Sequence, residues 1–140
     1  MGKINLTRVF VGGFAAGAFS IALQYIAVLT GAYGKLVEVG NLTNPSVAAQ
    51  LALAAAELLI GGPAAIWFYA AIRPRFGAGP RTAILTALWL WLVLGPYEQI
   101  VLTGFGLGKA LPIGALIVVD ILSLPAIAAA VLIGAWLYKE

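Results

Sequence analysis

The chain has 140 residues, of which 63% are hydrophobic and 9% are charged, and its mean hydropathy is +1.05. A soluble domain carries roughly one-quarter charged residues, so this composition excludes an ordinary soluble fold and predicts an integral membrane protein. Cysteine and histidine are absent, which excludes thiol chemistry, histidine bases and most soft-metal or haem ligation. The net charge of +3 comes mainly from Lys and Arg in loops and near the ends, so it indicates topology and not nucleic-acid binding.

Four apolar runs are long enough to cross a hydrocarbon core of about 30 Å. The first follows Lys3 and Arg8, but it is about twice as long as the apolar stretch of a signal peptide, so we interpret it as a retained helix. The second ends in Trp67 and Tyr69, aromatic residues that are typical of a membrane surface. The sequence therefore predicts one transmembrane domain, residues 1–140, with helices at about 9–33, 47–72, 82–105 and 111–138.

The segment from Arg73 to Arg81 is rich in Pro and Gly, which predicts a tight basic loop between the second and third helices. Lys and Arg lie mainly on this side of the predicted helices, with only Lys35 and Lys109 on the other. The positive-inside rule then predicts cytoplasmic termini and an up-down-up-down bundle of four helices. Arg73, Arg75 and Arg81 are interpreted as topology determinants, with binding of anionic lipid headgroups as the alternative.

A pattern repeats within the chain. Val28-Leu29-Thr30-Gly31 recurs as Val101-Leu102-Thr103-Gly104, and Arg8 falls on Arg81 at the same offset of 73 residues. Two tandem hairpins related by an axis along the membrane normal would explain the pattern. Chance similarity within a small apolar alphabet would explain it as well.

Each predicted helix carries one polar residue at a similar depth, and ionisable groups are costly within a bilayer. Kink-forming prolines accompany three of these residues, and carbonyls released by proline would add to an oxygen-only ligand set. Such a set suits protons or hard cations, although carboxyls that hydrogen-bond between helices as structural contacts fit the same pattern. We expect these side chains to share one interior cavity. They are Gln24, Glu57, Glu98 and Asp120.

Small residues follow helical spacing on the same faces, which favours close helix packing. Gly13 and Gly17 form a GxxxG step in the first helix. Gly61 and Gly134 belong to similar stripes in the second and fourth helices. Trp89 and Trp91, in contrast, are interpreted as a surface that faces lipid or a partner.

The segment Trp67-Phe68-Tyr69-Ala70-Ala71-Ile72-Arg73-Pro74-Arg75-Phe76-Gly77-Ala78-Gly79-Pro80-Arg81-Thr82-Ala83 resembles the central loop of a family of small bacterial four-helix integral membrane proteins of unassigned function. Arg8 followed by Gly12 and Gly13 is similar to the start of these proteins. The resemblance implies a multi-pass protein of the bacterial inner membrane. It implies no activity and no catalytic residue, and Gln24 stands where such proteins often carry an acid.

Two functions remain open at this point. The first is a non-enzymatic accessory or scaffold subunit of a membrane complex, or a homo-oligomer, in contact with the lipid bilayer. The second is a small proton- or cation-coupled transporter or channel that uses the intramembrane carboxylates. A membrane enzyme is disfavoured, because a carboxylate pair would have to act without a nucleophile, a histidine or a metal site. The residues do not identify a cofactor.

Overall fold

The computed structural model describes residues 4–31, 34, 46–105 and 113–138, and within these ranges all regular secondary structure is helical. We number four helices, each long and apolar enough to cross a membrane. Helix α1 is Leu6–Leu29 and helix α4 is Ile113–Leu137. Helix α2 consists of α-helical Val47–Ala56, π-helical Glu57–Gly61 and α-helical Gly62–Phe76. Helix α3 consists of α-helical Pro80–Leu92, π-helical Val93–Tyr97 and α-helical Glu98–Gly104.

Side-chain caps set the starts of α1 and α2. The Asn5 side chain accepts a hydrogen bond of 3.2 Å from the backbone N–H of Arg8, so α1 begins three residues before the predicted start at Val9. The Ser46 hydroxyl caps α2 in the same way, at 3.2 Å from the backbone N–H of Ala49. Helix α1 ends at Leu29, and the predicted end at residue 33 lies outside the described residues.

The prediction of a loop from Arg73 to Arg81 is wrong, because the observed connection is shorter. Helix α2 continues through Pro74 to Phe76, and α3 begins at Pro80, so the connection is only residues 77–79. The fixed φ of proline is compatible with a helix, and at the first helical position its missing N–H costs no hydrogen bond. Gly77 ends α2 with a φ of +86°, a backbone conformation that side-chain-bearing residues rarely adopt.

The helices pack in a ring, with α1 against α2 and α4, and α3 against the same two helices. Along α1, Gly13 lies at Gly62 and Gly17 lies at Glu57, so α1 runs antiparallel to α2. Asn5 contacts Tyr138 and Gly12 lies at Gly134, so α1 also runs antiparallel to α4. The glycine contacts are backbone to backbone. An added Cβ on Gly12 would lie 2.5 Å from the carbonyl oxygen of Gly134, which explains why glycine is required there.

The buried core occupies one end of the bundle, which we call the closed half. Its members come from all four helices and are mostly alanines: Val9, Ala16, Ala65, Ile66, Tyr69, Ala70, Ala83, Ala87, Ala130, Val131, Ala135 and Tyr138. We call the other end the open half: α1 after Gly17, α2 before Gly62, α3 after Ala87 and α4 before Ala130. No described side chain of the open half is buried. The buried side chains of the described residues are therefore concentrated at one end of the bundle.

Two tyrosines join the chain ends to the central connection. The Tyr69 and Tyr138 rings meet edge to face, with centroids 6.1 Å apart. The backbone N–H of Gly79 donates to the Tyr69 hydroxyl, and that of Asn5 donates to the Tyr138 hydroxyl, each at 3.2 Å. The described arginines all lie at this end, and the Arg73 guanidinium carbon is 5.6 Å from the centre of the Tyr138 ring. The closed half is thus the basic end of the bundle.

Candidate functional site in the open half

Counting residues from the basic end gives the four predicted polar residues similar depths, but the helix contacts do not place them in one layer. Gly17 lies against the backbone of Glu57, and Gly17 is seven residues, or about 10 Å, before Gln24 along α1. Counting 1.5 Å per residue from Arg8 to Gln24 in α1, and from Arg73 to Glu57 in α2, gives about 24 Å in each case. The corresponding distances are about 26 Å from Arg81 to Glu98 and about 27 Å from Tyr138 to Asp120. All four residues belong to the open half, and none of them is buried.

Gln24 and Glu57 make a direct contact between α1 and α2. The side-chain amide of Gln24 donates a hydrogen bond of 2.6 Å to a carboxylate oxygen of Glu57. Gly17 permits this approach, because a Cβ at that position would lie 3.0 Å from the backbone carbonyl oxygen of Glu57. The described arginines all lie at the other end of the bundle. The Gln24 amide therefore supplies the Glu57 carboxylate with a hydrogen-bond donor in place of a cation.

Both π-helical segments adjoin a carboxylate. The first begins at Glu57, whose backbone carbonyl accepts from the N–H of Gly62, five residues on. The second contains Pro96 and ends immediately before Glu98. Sequence analysis predicted kinks at the prolines, and the structure shows that α2 and α3 each insert a π-helical turn there. Such turns widen the local hydrogen-bond ring and occur frequently at functional sites.

Asp120 lies at the contact between α4 and α3. The indole N–H of Trp91 donates to the backbone carbonyl of Asp120 at 2.8 Å, and the Ser123 hydroxyl donates to the same oxygen at 3.1 Å. Gly95 leaves room for the carboxylate, since a Cβ there would lie 2.9 Å from its Oδ1 atom. Trp91 therefore binds a neighbouring helix and does not form the predicted lipid-facing surface, whereas Trp89 is exposed.

The structure brings two of the four predicted residues into contact with each other, and it places a third against Trp91. Gln24 meets Glu57 between α1 and α2, and Asp120 meets the Trp91 side of α3. Glu98 is exposed. Within the described residues, no three acidic side chains lie close enough to hold a metal ion. Of these four described residues, only Gln24 and Glu57 are joined to each other by a hydrogen bond.

The predicted packing glycines are placed as follows. Gly13, Gly17 and Gly134 each make a close contact with a neighbouring helix. Gly61 is exposed, and the close contact assigned to it belongs to Gly62, because the π-helical turn shifts the facing position by one residue. Gly12 also packs closely and was missed, although its place beside Gly13 in the sequence was a usable signal.

The predicted interfacial arginines differ in their surroundings. Arg75 and Arg81 are exposed. Arg73 is partly buried and stacks over Tyr138, so it also contributes to packing at the closed end.

Comparison of the chain with protein-family models, with curated proteins and with solved structures finds no match.

Proposed function

We propose that this chain is a non-enzymatic, multi-pass protein of the bacterial inner membrane, acting as an accessory or scaffold subunit of a membrane complex or as a homo-oligomer. The observation that carries the proposal is the open half, where polar side chains lie at membrane depth without being buried. The resemblance of residues 67–83 to small bacterial membrane proteins supports the same cellular setting.

Exposed polar groups of this kind are poorly solvated by lipid. An ionisable residue within the hydrocarbon region costs at least about 2.5 kcal/mol on insertion scales. Gln24 and Glu98 are both exposed, and acyl chains cannot hydrogen-bond to them. A second protein surface can supply donors and acceptors to these side chains. Covering the open half therefore favours association with another copy or another subunit.

The basic end defines the proposed orientation. Arg8, Arg73, Arg75 and Arg81 surround the closed half, and the positive-inside rule assigns such an end to the cytoplasm. The termini would then be cytoplasmic, and the uncovered polar layer would lie toward the opposite membrane surface. A partner in this arrangement contacts the chain mainly within the outer part of the bilayer.

Cross-linking tests the proposal cleanly, because the chain contains no cysteine of its own. Ile100→Cys places a thiol on an exposed position of the open half, and Phe10→Cys places one on an exposed position of the closed half. In native membranes we expect Ile100→Cys, and not Phe10→Cys, to cross-link into a discrete product. A product of twice the mass of 14.5 kDa indicates a homodimer, and a heavier one identifies another subunit by mass spectrometry.

The proposal fails if neither cysteine cross-links to protein and the gently extracted, untagged chain has the mass of a monomer. Equal cross-linking at both positions would indicate random collision within the membrane and would also count against it. Trp89 is exposed on the same helix but lies nearer the closed half. Cross-linking of Trp89→Cys therefore measures how far along α3 the contact extends.

A second candidate function is a proton- or cation-coupled carrier. It is favoured by the two π-helical turns beside Glu57 and Glu98, since such turns recur at functional sites. Glu57→Gln would then abolish proton or monovalent-cation flux into proteoliposomes, and Trp89→Phe would not. Equal flux through protein-containing and protein-free vesicles would exclude this function.

A further inference from the structure

An apolar furrow runs between α3 and α4, from the closed half into the open half. One part has a volume of about 300 Å³ and lies beside Pro80 and Trp136. The other has a volume of about 350 Å³ and lies beside Leu88 and Pro125. Leu132 lines both parts, so they adjoin at this residue.

The furrow has the length and lining that suit a hydrocarbon chain. Along α4 it extends from Trp136 to Leu124, about 18 Å at 1.5 Å per residue, slightly more than half of a hydrocarbon core of about 30 Å. It exists because α3 and α4 meet through small side chains. Ala83 and Ala87 line it from α3, and Ala128 lines it from α4.

One end of the furrow is basic. Arg81 directly follows Pro80, which lines the furrow, and its side chain is exposed. Arg75 is exposed at the end of α2, across the short connection. The described acidic side chains all lie in the open half, about 24 Å or more along the helices from the arginines. Charge complementarity therefore selects an anionic group at this end.

We propose that the furrow binds an acyl chain of an anionic phospholipid whose phosphate group is held by Arg81. In such a lipid the anionic headgroup lies at the membrane surface, as the basic end does. Its acyl chain reaches into one leaflet, as the apolar furrow does. Trp136 flanks the same end, where an amphipathic ring suits the membrane interface.

Photolabelling tests the proposal. The purified full chain is reconstituted in phosphatidylcholine vesicles that contain phosphatidylglycerol carrying a photoreactive diazirine in one acyl chain. We expect mass spectrometry to place the label on α3 and α4 along the furrow. Arg81→Gln should lower this labelling about fivefold, the factor that corresponds to about 1 kcal/mol for one cation near an anionic membrane surface. Arg8→Gln removes an exposed cation at the same end but on α1, and should leave the labelling unchanged.

A second pair of variants tests the furrow itself. Ala128→Phe fills it and should also reduce labelling, whereas Ala18→Phe adds the same side chain to an exposed position of α1 and should not. Inorganic phosphate should not compete, because the acyl chain supplies part of the affinity. Equal labelling by a phosphatidylcholine probe, equal effects of Arg81→Gln and Arg8→Gln, or label spread evenly over α1 would each overturn the proposal.

Discussion

The amide of Gln24 and the carboxylate of Glu57 are joined by a hydrogen bond of 2.6 Å between α1 and α2, in the part of the bundle where no described side chain is buried. Most helix contacts of this protein are made by glycine and alanine in the closed half. Gln24 and Glu57 therefore extend the contact between α1 and α2 beyond Gly17, which packs against the Glu57 backbone.

A double-mutant cycle measures how much the hydrogen bond between Gln24 and Glu57 contributes to the free energy of unfolding. We expect Gln24→Ala and Glu57→Ala to be less destabilising together than the sum of the two single changes, because each single change already removes the bond. Interhelical hydrogen bonds in membrane proteins average about 0.6 kcal/mol and reach about 1.7 kcal/mol. Reversible unfolding in mixed micelles gives the coupling free energy. A coupling of zero would show that the contact does not stabilise the bundle.

Adjacent glycines in α2 should respond differently to the same substitution. Gly62→Ala places a Cβ against the backbone of Gly13, so the two helices must separate, and we expect a loss of about 1–3 kcal/mol or more. Gly61→Ala places its Cβ 3.8 Å from the Glu57 Cγ atom, an ordinary contact, and should change stability by less than about 0.5 kcal/mol. Thermal unfolding of both variants in one detergent compares them. Equal losses would contradict the contact described here.

The Tyr69 hydroxyl should stabilise the connection between α2 and α3. Tyr69→Phe leaves the backbone N–H of Gly79 without its acceptor, and we expect a loss of about 1 kcal/mol. Tyr97→Phe is the matched control, since Tyr97 is 59% exposed in the open half. The midpoint of thermal unfolding should fall for the first variant and remain unchanged for the second.

Substitutions of the two tryptophans of α3 should also differ in their effect on stability. Trp91→Phe removes the 2.8 Å hydrogen bond to the Asp120 carbonyl, whereas Trp89 is 58% exposed. We expect Trp91→Phe to cost about 0.5–1.5 kcal/mol and Trp89→Phe to have little effect. Thermal unfolding in the same detergent compares the stability losses of the two variants. A larger loss for Trp89→Phe would indicate that a partner covers this exposed ring.

Local sequence signals predicted much of the candidate site, because depth in a helix depends only on counting residues. Counting from the helix ends places Gln24, Glu57, Glu98 and Asp120 at a similar level. The contact of Gly17 with the Glu57 backbone instead puts Glu57 about 10 Å before Gln24 along α1. Which residues would touch could not be predicted. Helix rotation decides that, and the π-helical turn after Glu57 changes the face on which every preceding residue of α2 lies.

The sequence by itself determined the class of the protein: four helices long and apolar enough to cross a membrane, with arginines concentrated at one end. Composition and spacing suffice for this, since a bilayer requires about 20 apolar residues for each crossing. Tertiary packing, and not the sequence pattern, places the buried side chains of the described residues at the arginine end of the bundle. This placement depends on backbone contacts such as Gly13 with Gly62 and Gly12 with Gly134, which join residues far apart in the chain and exist only once the helices have packed.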